Sequence, residues 1–382
     1  MFIRTFNKVS YKRLPLLIKD DGTPLLHTFI FCITSKFIRL RYNTQYSYLI
    51  TIRELYNAFK ILDYNLDNIL LNGDFRIFFS EFGRSAQLFI FKNEIKIQNQ
   101  IIKLDCIKNY IKWSIDRHLN RNANPIDVDY IKSVDLDDFF NTFILRRNNT
   151  GLQFKSLTSS QLKSLHEIIQ VNSDLNPFTV FLQNRNYLIL RILLDTGIRI
   201  GELLNLTTLD IKIIADVPYL VIGRHEYMAT DKRTRRPSIK TDQSNRLVAI
   251  SKNLYEKLLL YIKKDRRNNS KISHPYIFTA KNNDPISINA IYDIFNKINN
   301  VGILSSPTWE KITPHILRHT FAYDFLKYLI EVHNYDMERA KDELRKICGW
   351  KNNSSLPLHY TGKYIWELSN GHNIKRISQY YE

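Results

Sequence analysis

The run RRNNTG, Arg146–Gly151, is made of charges and turn formers without apolar periodicity, and it separates two long stretches that are periodic. A break of this kind in a 382-residue chain calls for two hydrophobic cores, one on each side. With 44% hydrophobic and 24% charged residues, the composition is that of a folded globular protein, so both cores can be filled.

Upstream of the break, residues 13–33 read as two short β-prone stretches around KDDGTP, where Asp21-Gly22 supplies a tight hairpin turn. Asn43 or Thr44 then caps a helix whose apolar positions Tyr48, Ile52, Leu55, Phe59 and Leu62 share one face. A second amphipathic helix over Leu104–His118 buries Ile107, Tyr110 and Ile111. Its Lys108 and Lys112 form a basic face that suits either solvent or phosphate.

Downstream, Thr158 or Ser159 caps the next helix. YLVIG (219–223) and RLVAI (246–250) are β-rich runs. The span between Gly223 and Lys240 holds six Lys or Arg against two acids, which predicts an extended basic ribbon lying near phosphate. Over the whole chain, 55 Lys plus Arg against 37 Asp plus Glu give a net charge of +18, and a polyanion is the natural partner. A coding bias toward Lys, Asn, Ile and Tyr would give the same excess without any binding role.

Cys32, Cys106 and Cys348 are far apart and form no C-x-x-C pair, which points to a reduced, intracellular protein without a cysteine zinc site. Neither a signal peptide nor a spanning helix fits, because the greasiest run, Tyr187–Leu194, is broken by Arg191. The expected location is cytoplasmic and nucleoid-associated, with no membrane partner.

Three motifs carry chemistry. In TGIRIGELLNL (196–206), Gly197 ends one helix and Arg199 sits on the first turn of the next, where backbone N–H groups already favour an anion. A phosphate and a local ion pair with Glu202, three residues on, both satisfy that arginine. In TPHILRHTFAYDFL, Thr313 caps, Pro314 takes the first helical position, and Leu317, Phe321 and Phe325 form the buried stripe. His315 and Arg318 therefore project together. His315 and His319 stand at i and i+4, but no H-E-x-x-H pattern or third ligand supports a metal. In KICGWKNNSSLPLHYTGKY, Gly349 ends a helix, Trp350 offers an indole N–H and a stacking face, and Tyr360 follows in a loop containing Ser and Pro.

Taken in order, an arginine in T-G-[IL]-R-x-x-E-L, a ribbon lysine, H-x-x-R, then G-[HW] and a tyrosine about ten residues on strongly resemble the tyrosine recombinases, or phage-type integrases. The resemblance covers residues 156 to about 366, and the helical region before it is similar to their core-binding domain. It implies that Arg199 and Arg318 grip the scissile phosphate and that Lys240 protonates the departing 5′ oxygen, with Lys232 as its rival. It further implies that His315 assists as acid or base, that Trp350 stands where most members have histidine, and that Tyr360 is the nucleophile, with Tyr364 as a poorer alternative. Storing the bond energy as a phosphotyrosine makes strand exchange reversible, so neither a metal nor another cofactor is expected.

The expected architecture is multidomain. A lead-in arm or β-hairpin (1–29) precedes a mainly α-helical, SAM-like core-binding domain (30–145). A linker (146–155) then joins a mixed α+β catalytic domain with a small antiparallel sheet and a C-terminal tail (156–382), the whole forming a C-shaped DNA clamp. The implied partners are double-stranded recombination sites, a homotetramer on DNA (monomer or dimer when free), and accessory DNA-bending or directionality factors. Integration or excision of a mobile element is the favoured task, through a 3′-phosphotyrosine and a Holliday junction. Chromosome-dimer resolution, a type IB topoisomerase and a catalytically silent accessory protein are the alternatives.

Overall fold

The computed structural model describes residues 1–7, 13–91, 97–120, 125–144, 156–223, 231, 233, 236–237, 245–266, 272, 274–306 and 309–381. The chain divides into two compact units, Met1–Thr150 and Gly151–Glu382. Both are rich in helix, and each holds one small antiparallel sheet.

The first unit opens with β1 (Phe2–Asn7) paired to β2 (Arg13–Ile18), in a register from Phe2 opposite Ile18 to Asn7 opposite Arg13. The strand predicted near residue 13 thus pairs backward. The second β-prone stretch is instead helix α1 (Leu26–Thr34), and Asp21-Gly22 turns the chain into it. Tertiary burial decides this: one side of α1 sinks His27, Thr28, Phe31 and Cys32, which period-two alternation cannot do. Six helices complete the core among the described residues: α2 (Tyr42–Ile61), α3 (Leu66–Asn72), α4 (Phe75–Phe89), α5 (Ile97–Leu119), α6 (Pro125–Ser133) and α7 (Leu136–Asn141). Helix α2 starts before the expected caps, at Arg41, which makes no side-chain cap, and its Leu49, Ile52, Leu55 and Phe59 are fully buried. On α5, Lys108 is engaged by Asp137 at 3.0 Å, so this member of the basic face is ion-paired.

A polar cluster lies inside this core. The His27 ring bonds to Tyr110 Oη at 2.6 Å through Nδ1 and to Ser114 Oγ at 2.9 Å through Nε2, while the Tyr56 hydroxyl donates to Asp67 at 3.1 Å. Burial, reinforced by the charge of Arg117, lowers the His27 pKa from 6.5 to about 3. Because the folded value lies below the unfolded one, this stability is fully present above pH 6.5 and is lost as the pH falls toward 3. The expected slope inside that window is about 1.4 kcal/mol per pH unit. Protection factors of amides in α1 and α5, corrected for intrinsic exchange at each pH, should fall as the pH is lowered in the native chain and show a flatter dependence in His27→Gln.

The second unit runs α8 (Ser159–Ile169), α9 (Val180–Thr196), α10 (Ile200–Leu203), the sheet β3 (Ile211–Ile214), β4 (Val217–Ile222) and β5 (Arg246–Ala249), then α11 (Lys252–Lys263), α12 (Ile288–Ser305), α13 (Pro314–Glu331), α14 (Met337–Cys348) and α15 (Leu356–Tyr381). Thr158 caps α8 through a reciprocal capping box with Gln161. Strands β4 and β5 pair antiparallel, Tyr219 opposite Ala249, in agreement with the two β-rich runs. One apolar cluster gathers around α9, α12 and the sheet, and a second joins α13, α14 and α15. Among the described residues, no helix is long and apolar enough to cross a membrane.

Where it is described, the span after Gly223 departs from the expected phosphate-facing ribbon. Arg233 is buried and forks onto Asp231 at 2.7 Å, and it also donates to the Leu204 and Ile286 carbonyls, so it anchors the polypeptide inward. Arg236 likewise donates to the Asp231 carbonyl. Lys232 and Lys240 lie outside the described residues.

Candidate active site

Helix α9 must stop before Arg199 because Gly197 takes φ +58, and a Cβ there would fall 2.1 Å from the Phe321 ring. The chain leaves this left-handed turn with Arg199 as the N-cap of α10, one position earlier than first-turn placement. Its backbone N–H donates to Glu202 Oε2 and its Nη1 to Oε1, both at 2.8 Å, so the local ion pair is formed. The Arg199 side chain keeps 24% exposure, while that of Glu202 keeps 1%.

Arg246, at the start of β5, reaches the same carboxylate, with Nη2 at 2.9 Å from Oε2. Burial acts to raise the Glu202 carboxyl, but hydrogen bonding and charge from Arg246, then the backbone N–H and charge of Arg199, outweigh it and hold it below the ordinary glutamate value. Local sequence does not single out Arg246. Its only signal was a cation opening an otherwise apolar strand, and its partners lie 44 and 101 residues away.

The end of α14 supplies the second half of the frame. Gly349 closes that helix at φ +59, and a Cβ on it would meet Arg246 Nη1 at 2.7 Å. Carbonyls at a helix C-terminus lack intrahelical donors and carry the negative end of the dipole. Three arginines take them up: Arg246 Nε donates to the Ile347 carbonyl at 2.8 Å, Arg318 Nη2 to that of Cys348 at 2.6 Å, and Arg199 Nη2 to that of Gly349 at 3.4 Å. Arg318, 5% exposed, also donates from Nη1 to the Gly197 carbonyl at 2.5 Å. Two helix C-termini therefore hold one guanidinium.

Arg318 comes from α13, which Thr313 caps by accepting from the Ile316 N–H and which Pro314 opens, as the sequence indicates. The buried stripe is different from the one expected. Leu317 is fully buried, but Phe321 and Phe325 are half-buried and stack on each other at 5.7 Å, while Arg318, Ala322, Tyr323 and Leu326 turn inward. His315 is exposed, and its ring meets that of His319 edge-on at 4.2 Å.

Trp350 and Tyr360 complete the cluster. Tyr360 sits in the second turn of α15 and not in a loop, since Pro357 occupies the first turn, where proline's missing N–H breaks no helical bond. Its ring stacks on Trp350 at 5.7 Å with 10° between planes, and the Arg318 guanidinium lies 5.4 Å over the same indole. The Tyr360 hydroxyl meets His319 Nδ1 at 2.7 Å. Burial, then the neighbouring Cys348, push this phenol well above its ordinary value, against a smaller opposing effect of Arg318. Tyr364, one turn later, is also buried, and burial and the Glu331 carboxylate raise its hydroxyl.

The structure thus brings together Arg199, His315, Arg318, Trp350 and Tyr360, adds Arg246, Glu202 and His319, and leaves Lys240 outside the described residues. Such an assembly sets guanidinium donors, which suit a tetrahedral anion, beside a tyrosine hydroxyl. Among the described residues, no group of three His, Cys, Asp or Glu is placed to hold a metal.

The model of the Phage integrase family matches residues 155–364, more than half of the chain. Among solved structures, the XerA recombinase is similar at 19% identity, covering 88% of this chain and 94% of that one, with a TM-score of 0.39. The Tn1549 transposon integrase in complex with circular intermediate DNA shows 18% identity over 85% and 92%, with a TM-score of 0.49. A lambda integrase dimer bound to a core site shows 13% identity over 85% and 74%, with a TM-score of 0.47. A comparison with curated proteins finds no match.

Proposed function

We propose, since the chain belongs to the phage integrase family of site-specific tyrosine recombinases, that it cuts and rejoins duplex DNA through Tyr360. The observation that carries this reading is the convergence of Arg199, Arg318 and the Tyr360–His319 pair at the end of α14. In this reading the two arginines hold the non-bridging oxygens of the scissile phosphate and stabilise the added charge of the pentavalent transition state, each worth about 10² to 10³ in rate. Tyr360 forms the 3′-phosphotyrosine, Trp350 braces its ring, and Lys240 protonates the 5′ oxygen. His315, exposed at the head of α13, assists at the phosphate. No metal or other cofactor is called for.

Around this chemistry we place a SAM-like core-binding domain over 30–145 with a lead-in hairpin over 1–29, a linker over 146–155 and a catalytic domain over 156–382, closing on DNA as a C-shaped clamp. The net charge of +18 supports the phosphate-dominated grip. Four copies would hold two duplexes and exchange strands through a Holliday junction, to integrate and excise a mobile element, with DNA-bending or directionality factors setting direction.

The test is covalent trapping. The full chain first selects its preferred sequence from a randomised duplex pool, and that sequence is rebuilt as a nicked duplex from which the cleaved 5′ end diffuses away. A denaturation-resistant adduct formed in chelator, with its peptide mapped to Tyr360, is the expected result. Selection of a sequence without any adduct would instead favour an accessory DNA-binding role.

A further inference from the structure

The Tyr360 hydroxyl has one hydrogen-bond partner among the described residues, His319, and the chemistry described for the phosphate gives that residue no step of its own. His319 Nδ1 stands 2.7 Å from that oxygen, 41 positions back in sequence. We infer that His319 is the base that receives the Tyr360 proton as the phenol oxygen attacks the phosphate, an inference that rests on Tyr360 being the nucleophile.

The surroundings fix both partners. His319 follows Arg318, whose two carbonyl bonds lock this turn of α13, and it lies one turn beyond His315, whose ring packs edge-on against it. On the other side, Trp350 stacked on the Tyr360 ring sets where the hydroxyl points. His319 is half-buried against the Tyr360 hydroxyl, whereas His315 is exposed; in this reading His319 serves the attacking oxygen and His315 the phosphate. Burial holds the phenol in its protonated form, so attack requires a proton acceptor already in contact, and imidazole is the side chain suited to neutral pH.

With the proton of the His319 ring on Nε2, Nδ1 is the acceptor. As the Tyr360 Oη–P bond forms, the phenolic proton passes to Nδ1. The P–O5′ bond breaks, and the departing oxygen takes a proton from the general acid, assigned above to Lys240. Rejoining runs the same transfers backward, the imidazolium returning its proton to the phenolate leaving group.

The experiment measures single-turnover adduct formation by the full chain, Tyr360→Phe, His319→Ala and His319→Gln on the nicked duplex carrying the selected sequence. A second duplex has sulfur in place of the bridging 5′ oxygen. A thiolate leaves without needing a proton, its conjugate acid having a pKa of about 8.5, so sulfur relieves a missing acid but not a missing base. His319→Ala is expected to cleave about 10² to 10⁴-fold more slowly than the native chain on both duplexes, with unchanged DNA affinity. Added imidazole should restore part of its rate, and His319→Gln, which keeps a polar contact but accepts no proton, should be equally slow.

The inference is overturned by a His319→Ala rate within about twofold of native, or by a defect that vanishes on the sulfur duplex, which would put His319 on the leaving-group side. Full activity of His319→Gln also overturns it, because His319 would then only position the ring. If the native chain forms no adduct on either duplex, Tyr360 as nucleophile falls and His319 with it. If adduct forms and is lost in Tyr360→Phe while His319→Ala is unimpaired, only the role of His319 falls.

Discussion

Tyr360→Phe is expected to leave folding and DNA affinity nearly untouched and to remove covalent cleavage, by on the order of 10⁴-fold or more. Phenylalanine keeps the ring that stacks on Trp350 and fills the same buried space, so the packing among α13, α14 and α15 is retained. What disappears is one oxygen and its bond to His319, worth about 0.5–1.5 kcal/mol. A stability change of that size beside total loss of adduct would separate chemistry from architecture. Tyr364→Phe is the control. That hydroxyl belongs to the neighbourhood of Glu331, one helical turn away from the arginines, and its removal should leave cleavage intact. The opposite pattern, with adduct kept in Tyr360→Phe and lost in Tyr364→Phe, would falsify the assignment.

Local rules made part of this site legible in the sequence. Gly197 and Gly349 announce helix ends because each must take a positive φ, and Thr313-Pro314 announces a helix start because cap and fixed φ favour it. The two glycines place Arg199 and Trp350 at element boundaries, where polar groups of the backbone await partners, and Thr313-Pro314 places Arg318 in the second turn of its helix. The stripe of α2 is partly plain in the same way: Ile52, Leu55 and Phe59 are fully buried, whereas Tyr48 and Leu62 are only half-buried and Leu49 joins the buried face instead.

What escaped was decided by contacts across the chain. Ser354, Ser355 and Pro357 look like a loop, yet α15 begins among them, since apolar packing of Tyr360 and Tyr364 against α13 and α14 outweighs weak local propensity. Arg233 reads as one more ribbon cation, but an aspartate two residues earlier and two distant carbonyls draw it inside. In the sequence His319 suggests no more than a zinc ligand with His315, because nothing local reveals that a tyrosine 41 residues on will meet its ring.

Glu202→Gln should strongly destabilise the second unit. The carboxylate is buried between two guanidiniums, Arg199 and Arg246, and accepts a backbone N–H besides. Glutamine fits the space but removes the charge, and breaking a buried ion pair from one side costs about 3–5 kcal/mol. For a unit of this size that corresponds to a fall in Tm on the order of 10 °C, measurable by calorimetry. Glu202 titrates below 4.5 when folded, so its contribution is present above the unfolded value and vanishes as the pH drops through the folded one. The native chain should therefore converge on the variant in acid and diverge from it toward neutrality. The damage extends to cleavage, since Arg199 is aimed by the same carboxylate and a misdirected donor forfeits about 10² to 10³ in rate. A variant that kept native Tm but cleaved slowly would mean that Glu202 serves only to aim Arg199. A variant with lowered Tm and native cleavage below its melting point would mean that Arg199 finds its phosphate without that help, the bound anion itself supplying the missing charge.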